Sequence, residues 1–218
     1  MHSTTATDRP KQSDPGGTVA ALYLDDLARA AQRVDRDGLS TAVDMIHGAL
    51  VLGRRVYVAG NGGSAGASIH IAADWANAAA AVGCAVPVVA LCENISRLTA
   101  IANDRSYADV FSDQLRTSGQ PGDVLVLLSV SGQSENLLRA ATVAHELHMT
   151  SIGILGHRGA VAAHLDHVVL MGDRDYGIAE DLHIAFGHMV VRQLDGGRPR
   201  VFQPAPNHTD NRMGEGVR

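Results

Sequence analysis

A histidine and an aspartate four residues apart, His70 and Asp74, offer the imidazole and carboxylate that metal sites and proton-transfer sites use. At that spacing both side chains share one face of a helix and can reach one ion or one substrate. A later segment of helical character carries Glu180, His183 and His188, with Glu180 and His188 about two turns apart and offset by roughly 80°. Two imidazoles with one or two carboxylates suit Zn²⁺ or another borderline divalent ion. Histidines and carboxylates also serve as cap contacts, surface pairs and core groups, so spacing alone leaves these alternatives open.

Two segments rich in glycine and serine each follow an apolar run and precede a helical pattern. In the first, small residues permit positive φ angles and bring backbone amides close to a ligand, which is typical of a cradle for an anion or a polyol. In the second, three hydroxyls and several amides at a helix start can hold a phosphate without lysine. Such turns also use glycine and serine merely as caps. The segments are Gly60-Asn61-Gly62-Gly63-Ser64-Ala65-Gly66 and Ser129-Val130-Ser131-Gly132-Gln133-Ser134-Glu135-Asn136.

The first of these segments also fits a dinucleotide-binding fingerprint through Gly60, Gly62 and Ala65. That fingerprint calls for an acidic residue about 20 positions further on, at the end of the second strand. The nearest candidate, Glu93, lies much further away. A dinucleotide-binding oxidoreductase is therefore an alternative function of a different class.

Short, wholly apolar runs alternate with helical patterns and predict the elements that position these loops. Runs of this kind are typical of strands buried on both faces, and their alternation with helices favours a doubly wound parallel sheet. We therefore predict an α/β fold with a five-stranded parallel sheet flanked by helices, two helices before it over residues 18–53, with a break at 35–38, and a last helix over 177–194. The predicted strands lie in 56–59, 86–91, 124–128, 152–155 and 168–170, and further helices in 64–81, 134–147 and 159–165.

Composition limits the organisation and the partners of the chain. Its 218 residues, 45% of them apolar, suit one domain, predicted over 18–195 between a disordered leader (1–17) and a flexible tail (196–218). A formal net charge of −5 argues against binding nucleic acid or an anionic membrane surface. Lys11, in the leader, is the only lysine, which excludes Schiff-base, pyridoxal phosphate and Walker-A chemistry from the domain. With only Cys84 and Cys92, no long apolar segment and no signal peptide, a cytoplasmic location is expected.

Over residues 20–194 the chain resembles the SIS-domain phosphoheptose isomerases. The resemblance implies a homotetramer with active sites at subunit interfaces and one zinc ion per subunit. The implied reaction is the conversion of sedoheptulose 7-phosphate to D-glycero-D-manno-heptose 7-phosphate. The matching motifs are Gly60-Asn61-Gly62-Gly63-Ser64, His70-Ile-Ala-Ala-Asp74, Ala102-Asn103-Asp104, Ser129-Val-Ser-Gly-Gln-Ser134 and Glu180-Asp-Leu-His183-Ile-Ala-Phe-Gly-His188.

The same resemblance implies a role for each motif residue. Asp74 takes the place of the family's glutamate, one methylene shorter, and forms the acid/base pair with His188. The implied zinc ligands are His70, Asp74, Glu180 and His188, with Glu180 where the family has glutamine. The implied substrate-binding residues are Asn61, Gly62, Gly63, Ser64, Asp104, Ser129, Val130, Ser131, Gln133, Ser134 and Glu180.

Two departures from the family pattern bear on the substrate. Ala78 stands where the family commonly has arginine, and Ile178-Ala179-Glu180 stands for its Arg-Ile-Gln. An eight-carbon ketose phosphate is therefore an alternative substrate, for which Ala78 would leave room. A non-catalytic protein-binding branch of the family lacks the carboxylate and the last histidine. The presence of Asp74 and His188 favours an enzyme.

Overall fold

The computed structural model describes residues 17–201. The predicted domain, 18–195, falls within that range. The predicted leader up to residue 16 and the predicted tail from residue 202 lie outside the described residues.

In the described part of the chain, five parallel strands form one sheet in the order β2-β1-β3-β4-β5, which confirms the predicted fold class. The first strand, β1, lies in the interior of the sheet, and β2 lies beside it at one edge. The later strands β3, β4 and β5 follow in order on the other side of β1. Ligands of such sheets bind where this direction switches, outside the carboxyl ends of the strands on either side, here β1 and β3. The strands are β1 (Val56–Gly60), β2 (Val88–Ala90), β3 (Val124–Ser129), β4 (Thr150–Leu155) and β5 (His167–Leu170).

Seven α-helices within residues 17–201 flank or precede the sheet. The first two confirm the predicted pair, and each begins after a side-chain cap: Thr18 accepts a hydrogen bond from the amide of Ala21, and Asp35 from that of Asp37. Gly38 lies inside the second helix, so the break falls earlier than predicted. The helices are α1 (Val19–Gln32), α2 (Arg36–Val51), α3 (Gly63–Ala81), α4 (Ile95–Asp104), α5 (Ser112–Ser118), α6 (Glu135–Glu146) and α7 (Tyr176–Leu194).

Two parts of the chain differ from the sequence prediction. The segment 159–165, predicted as a helix, forms only a short 3₁₀ helix, Ala160–His164. Its N-cap residue, Gly159, has no side chain that could form a cap hydrogen bond. The helices α4 and α5 were not predicted, although α4 has an apolar face in which Leu98, Ile101 and Ala102 pack, partly buried, against the core. None of the helices within 17–201 is long and apolar enough to cross a membrane.

Helices α3 and α7 pack closely against each other, and this contact positions the candidate site. A Cβ on Gly187 would lie 2.5 Å from Ile71, so only glycine permits this approach. Trp75 is fully buried, donates a hydrogen bond from Nε1 to the carbonyl of Gly187 (2.9 Å), and stacks edge-on against Phe186. Trp75 therefore serves the packing of α3 against α7.

Candidate active site

The first glycine-rich loop joins β1 to α3 and holds a carboxylate from α7. Gly62, with φ of +58°, caps α3. A Cβ on Gly63 would lie 2.1 Å from Oε2 of Glu180, so the missing side chain makes room for this carboxylate. A negative charge beside the first turn of a helix is stabilised by the free amides there. The loop thus brings Glu180 to the switch point of the sheet.

The serine-rich loop joins β3 to α6 on the neighbouring strand. The hydroxyl of Ser129 accepts a hydrogen bond from the amide of Gly132 (3.0 Å), and that of Ser131 accepts one from Gln133 (3.3 Å). Ser134 occupies the N-cap of α6, but its hydroxyl makes no cap hydrogen bond. The hydroxyl of Ser134 and the first amides of α6 are therefore available to an anion.

The two loops together line a groove of about 350 Å³. The groove contains nine of the predicted substrate-binding residues. Gln133 lies in an adjoining recess, and Asp104 lies apart, exposed at the end of α4 and bonded to Asn103. The groove is lined by Asn61, Gly62, Gly63, Ser64, Leu128, Ser129, Val130, Ser131, Ser134, Tyr176 and Glu180.

A cluster of two imidazoles and a carboxylate lies elsewhere along the same pair of helices. Oδ2 of Asp74 lies 3.4 Å from Nε2 of His70 and 3.7 Å from Nε2 of His188. The three ligand atoms lie within 4.8 Å of one another, which is close enough to hold one metal ion. Their side chains are 48%, 37% and 54% exposed for His70, Asp74 and His188. We call these three residues the His–Asp–His cluster.

Within one chain, Glu180 does not join the other three predicted zinc ligands. It precedes His188 by eight residues on α7, a rise of about 12 Å, and its carboxylate faces Gly63 in the groove. Ala78 is fully buried in the core. The expectation that Ala78 leaves room for a larger sugar is therefore wrong within one chain, because this position does not line the groove.

The SIS domain family matches residues 22–156. The phosphoheptose isomerase of Clostridium acetobutylicum is 36% identical over 167 residues, which cover 74% of this chain and 85% of that protein. That of Maridesulfovibrio salexigens is 39% identical over 147 residues, 67% of this chain and 72% of that protein. The chain belongs to the SIS-domain phosphoheptose isomerase family. This is a family of aldose–ketose isomerases, as the sequence motifs predicted.

Solved structures of the phosphoheptose isomerase family share the fold. The enzyme from Neisseria gonorrhoeae aligns with a TM-score of 0.73 and 32% identity over 81% of this chain and 97% of that one. The enzyme from Francisella tularensis aligns with a TM-score of 0.72 at 24% identity, over 80% of this chain and 95% of that one, and supports the fold alone. Both findings confirm the predicted fold class.

Beyond the family's motifs, Tyr107 takes part in a hydrogen-bond network that the sequence did not reveal. Its hydroxyl donates to Oδ1 of Asn61 (2.9 Å), and Asn61 exchanges two hydrogen bonds of 2.9 Å with the buried side chain of Asn136. Tyr107 lies in a short 3₁₀ helix that precedes α5. No spacing rule connects it to the first loop, so only the folded structure places it at the edge of the groove.

His183, on α7, is fully buried and does not line the groove of this isomerase-family chain. Burial lowers the pKa of His183 to about 4, and the neighbouring backbone of Ile154 raises this pKa by a smaller amount. Among the described residues, neither ring nitrogen has a hydrogen-bond partner in acceptable geometry. This histidine therefore belongs to the core in its neutral form.

Proposed function

We propose that this chain converts sedoheptulose 7-phosphate to D-glycero-D-manno-heptose 7-phosphate through an enediol. The observation that carries the proposal is the meeting of Asp74 with His70 and His188, on the same pair of helices that positions a separate groove suited to a phosphorylated polyol. Family membership supports the reaction class. An eight-carbon ketose phosphate is the second candidate substrate, because its C1 and C2 atoms would react in the same way as those of sedoheptulose 7-phosphate.

Substrate binding falls to the groove. Its hydroxyls and the free amides of α6 suit a phosphate group, because they donate hydrogen bonds at a helix N-terminus. Asn61 and Glu180 provide polar groups for the hydroxyls of the sugar. These interactions would fix the phosphate at one end and leave the carbonyl end free to meet the acid/base groups.

Proton transfer falls to Asp74 and His188. One of them removes the proton from C1 of the ketose and returns it to C2, and the other carries a proton between the oxygens on C1 and C2. Atoms balance, because the same two protons reappear in the aldose. The shorter side chain of Asp74 requires a closer approach of the substrate than a glutamate would.

Zinc is the ion we propose for the His–Asp–His cluster. Two imidazoles and one carboxylate match the donor set of catalytic zinc, which keeps a further position open for substrate. The ion would polarise the oxygens that become negative in the enediol. His70, Asp74 and His188 would hold it within one chain.

We propose active sites between subunits, in the homotetramer that the family resemblance implies, and the separation of Glu180 from the His–Asp–His cluster supports such shared sites. Glu180 faces the groove, whereas His188 lies about 12 Å further along α7, so the two face different sites in one chain. The His–Asp–His cluster is also half exposed, although acid/base chemistry on an enediol works best away from water. We propose that the cluster of one subunit meets the groove of another, which also brings Glu180 to the metal.

A direct assay tests the substrate and the metal on one sample. Purified protein is offered sedoheptulose 7-phosphate and an eight-carbon ketose phosphate, aldose formation is followed, and bound metal is measured. Preference for the seven-carbon substrate supports the proposal, and preference for the eight-carbon one selects the second candidate. A protein that turns over neither, and is stabilised against heat by NAD or NADP instead, would be a dinucleotide-binding protein.

Complementation tests the shared active site. Ser134→Asp places a negative charge where the phosphate would bind, and His188→Gln impairs the cluster, so each variant alone should be nearly inactive. Mixed oligomers of the two should regain activity, because some sites then combine an intact groove with an intact cluster. Mixed oligomers that form without regaining activity would contradict a site built from two subunits.

A further inference from the structure

The groove that we propose for the substrate continues into a second recess of about 330 Å³. The two share Val130, Ser131 and Tyr176, so a ligand held at the serine-rich loop reaches both. Gln133 lines the recess and accepts a long hydrogen bond (3.4 Å) from the amide of Ala160. The other two lining residues are His157 and Arg174.

Charge is distributed unevenly between these two compartments. In the part of the chain that the structure describes, the groove is lined by one carboxylate, Glu180, and by no lysine or arginine. A phosphate carries about two negative charges, so a cation beside these hydroxyls and amides would strengthen its binding. Arg174 in the recess is the nearest arginine that lines this continuous space. The carboxylate of Glu180 thus lines the groove, whereas the guanidinium of Arg174 lines the recess.

His157 is fixed beside the serine-rich loop by direct backbone contact. Gly132 has a φ of +63°, and a Cβ there would lie 2.6 Å from the carbonyl oxygen of His157. The carbonyl of Gly132 accepts a hydrogen bond from the amide of Val161 (3.0 Å), and that of Ser129 accepts one from Gly156 (2.9 Å). The segment carrying His157 therefore cannot move away from the phosphate loop without breaking these contacts.

Arg174 is held against His157. Its Nη2 lies 3.0 Å from Nε2 of His157, and since a guanidinium only donates, the imidazole accepts through an unprotonated Nε2. Arg174 and Asp173 both have left-handed backbone angles (φ +76° and +51°), which cost about 1 kcal/mol each in non-glycine residues. Asp173 in turn forms an ion pair with Arg33 at the end of α1. The turn before α7 is thus anchored from two sides with its guanidinium directed at the recess.

We propose that Arg174 is the cation that binds the phosphate group held by the serine-rich loop, and that His157 positions it. The inference rests on the proposed function, which supplies the phosphorylated substrate. Arg174 then sets the orientation of the sugar: its phosphate lies toward the recess and its hydroxyls lie toward Glu180. It also supplies the positive charge that the lining of the groove lacks.

The test measures the binding of inorganic phosphate by calorimetry. Arg174→Gln should weaken binding about 10-fold, because one charge-assisted hydrogen bond is lost, and Arg174→Lys should retain part of it. Arg158→Gln is the matched control, since this exposed arginine adjoins His157 but lines neither groove nor recess. Phosphate binding by Arg174→Gln equal to that of the unchanged protein overturns the proposal, as does an unchanged protein that binds no phosphate.

Kinetics separate this inference from the proposed function. With the ketose phosphate that the protein isomerises, Arg174→Gln should raise KM about 10-fold and change kcat little, because the phosphate is remote from the reacting carbons. His157→Ala should raise KM less, and His157→Gln should restore it, since an amide oxygen also accepts from the guanidinium. An unchanged KM in an active Arg174→Gln enzyme refutes the role of Arg174. Phosphate binding that depends on Arg174 in a protein without isomerase activity would refute the proposed function alone.

Discussion

The Nε2 atoms of His70 and His188 lie 3.4 Å apart, although 118 residues separate them in the sequence. Their rings meet edge to face, with centroids 5.6 Å apart, and Asp74 approaches both. The close packing of α3 against α7, sealed by the hydrogen bond from Trp75 to Gly187, fixes this geometry. Two imidazole nitrogens and a carboxylate oxygen therefore face one point from rigid helices.

Removal of one imidazole should abolish metal binding. Purified protein should carry about one divalent ion per chain, and His70→Ala should lose it while remaining folded, because its side chain is half exposed. Elemental analysis and circular dichroism check both points. His145→Ala, at an exposed position on α6 outside the cluster, is the control and should keep the metal. A His70→Ala protein with a full complement of metal would refute this site.

The architecture was predictable because buried parallel strands have a simple signature. Wholly apolar runs located β1, β3 and β4, which are buried over nearly all their length, and the alternation with helices gave the parallel sheet. The helix α4 was missed although Leu98, Ile101 and Ala102 recur at helical spacing, because this apolar face is short and only partly buried. A short, partly buried helix leaves a weaker periodic pattern in the sequence than a long, buried one.

Acid should destabilise the fold through His183. Its pKa falls from an ordinary 6.5 to about 4 on folding, so the unfolded chain binds a proton first as the pH drops. Stability is unaffected by this group above pH 6.5 and falls between about pH 6.5 and pH 4, by about 3 kcal/mol in total. His183→Leu should flatten this slope and cost little at pH 7, because both ring nitrogens lack partners. Urea unfolding at several pH values measures the free energy of unfolding of both proteins. If this free energy depends on pH equally in His183→Leu and in the unchanged protein, His183 is not the group responsible.

Loss of the Tyr107 hydroxyl should make the side chain of Asn61 more mobile and leave the core unchanged. Tyr107→Phe removes the hydrogen bond to Oδ1 of Asn61, and Tyr107 is 55% exposed, so stability should change by less than about 1 kcal/mol. Asn61 keeps its bonds to Asn136 but gains freedom at the groove. We expect KM for the sugar phosphate to rise a few-fold, roughly 3- to 10-fold. Equal KM values in both proteins would show that Tyr107 does not position Asn61 for substrate.

The candidate site was predictable only where its residues follow a local rule. The spacing of His70 and Asp74 placed both on one helix face, and the two loops were evident from their glycines and serines. The position of Glu180 away from the cluster follows from the length of α7. Residues from distant parts of the chain carry no local signature, because tertiary contacts alone bring Tyr107 to Asn61 and Arg174 to the recess.

The role of the shortened carboxylate is tested by Asp74→Asn, which keeps the shape of the side chain and removes its basicity. If Asp74 takes the proton from carbon, turnover should fall on the order of 10² to 10⁴, while sugar phosphate still binds through the serine-rich loop. Bound metal must be measured in the same preparation, because Asp74 also contacts both histidines of the cluster.

His188→Gln provides the second half of this test. It should lose a similar factor in turnover, and the double variant should lose much less than the product of the two single losses, because a proton-transfer pair acts as a unit. Multiplicative losses would mean that the two residues act independently. Near-normal turnover by Asp74→Asn would refute its role as base and leave Glu180 as the next carboxylate to test. In a site shared between subunits, Glu180 would come from the same chain as the groove that holds the phosphate. Glu180→Gln would then show the fall in turnover that is otherwise expected of Asp74→Asn.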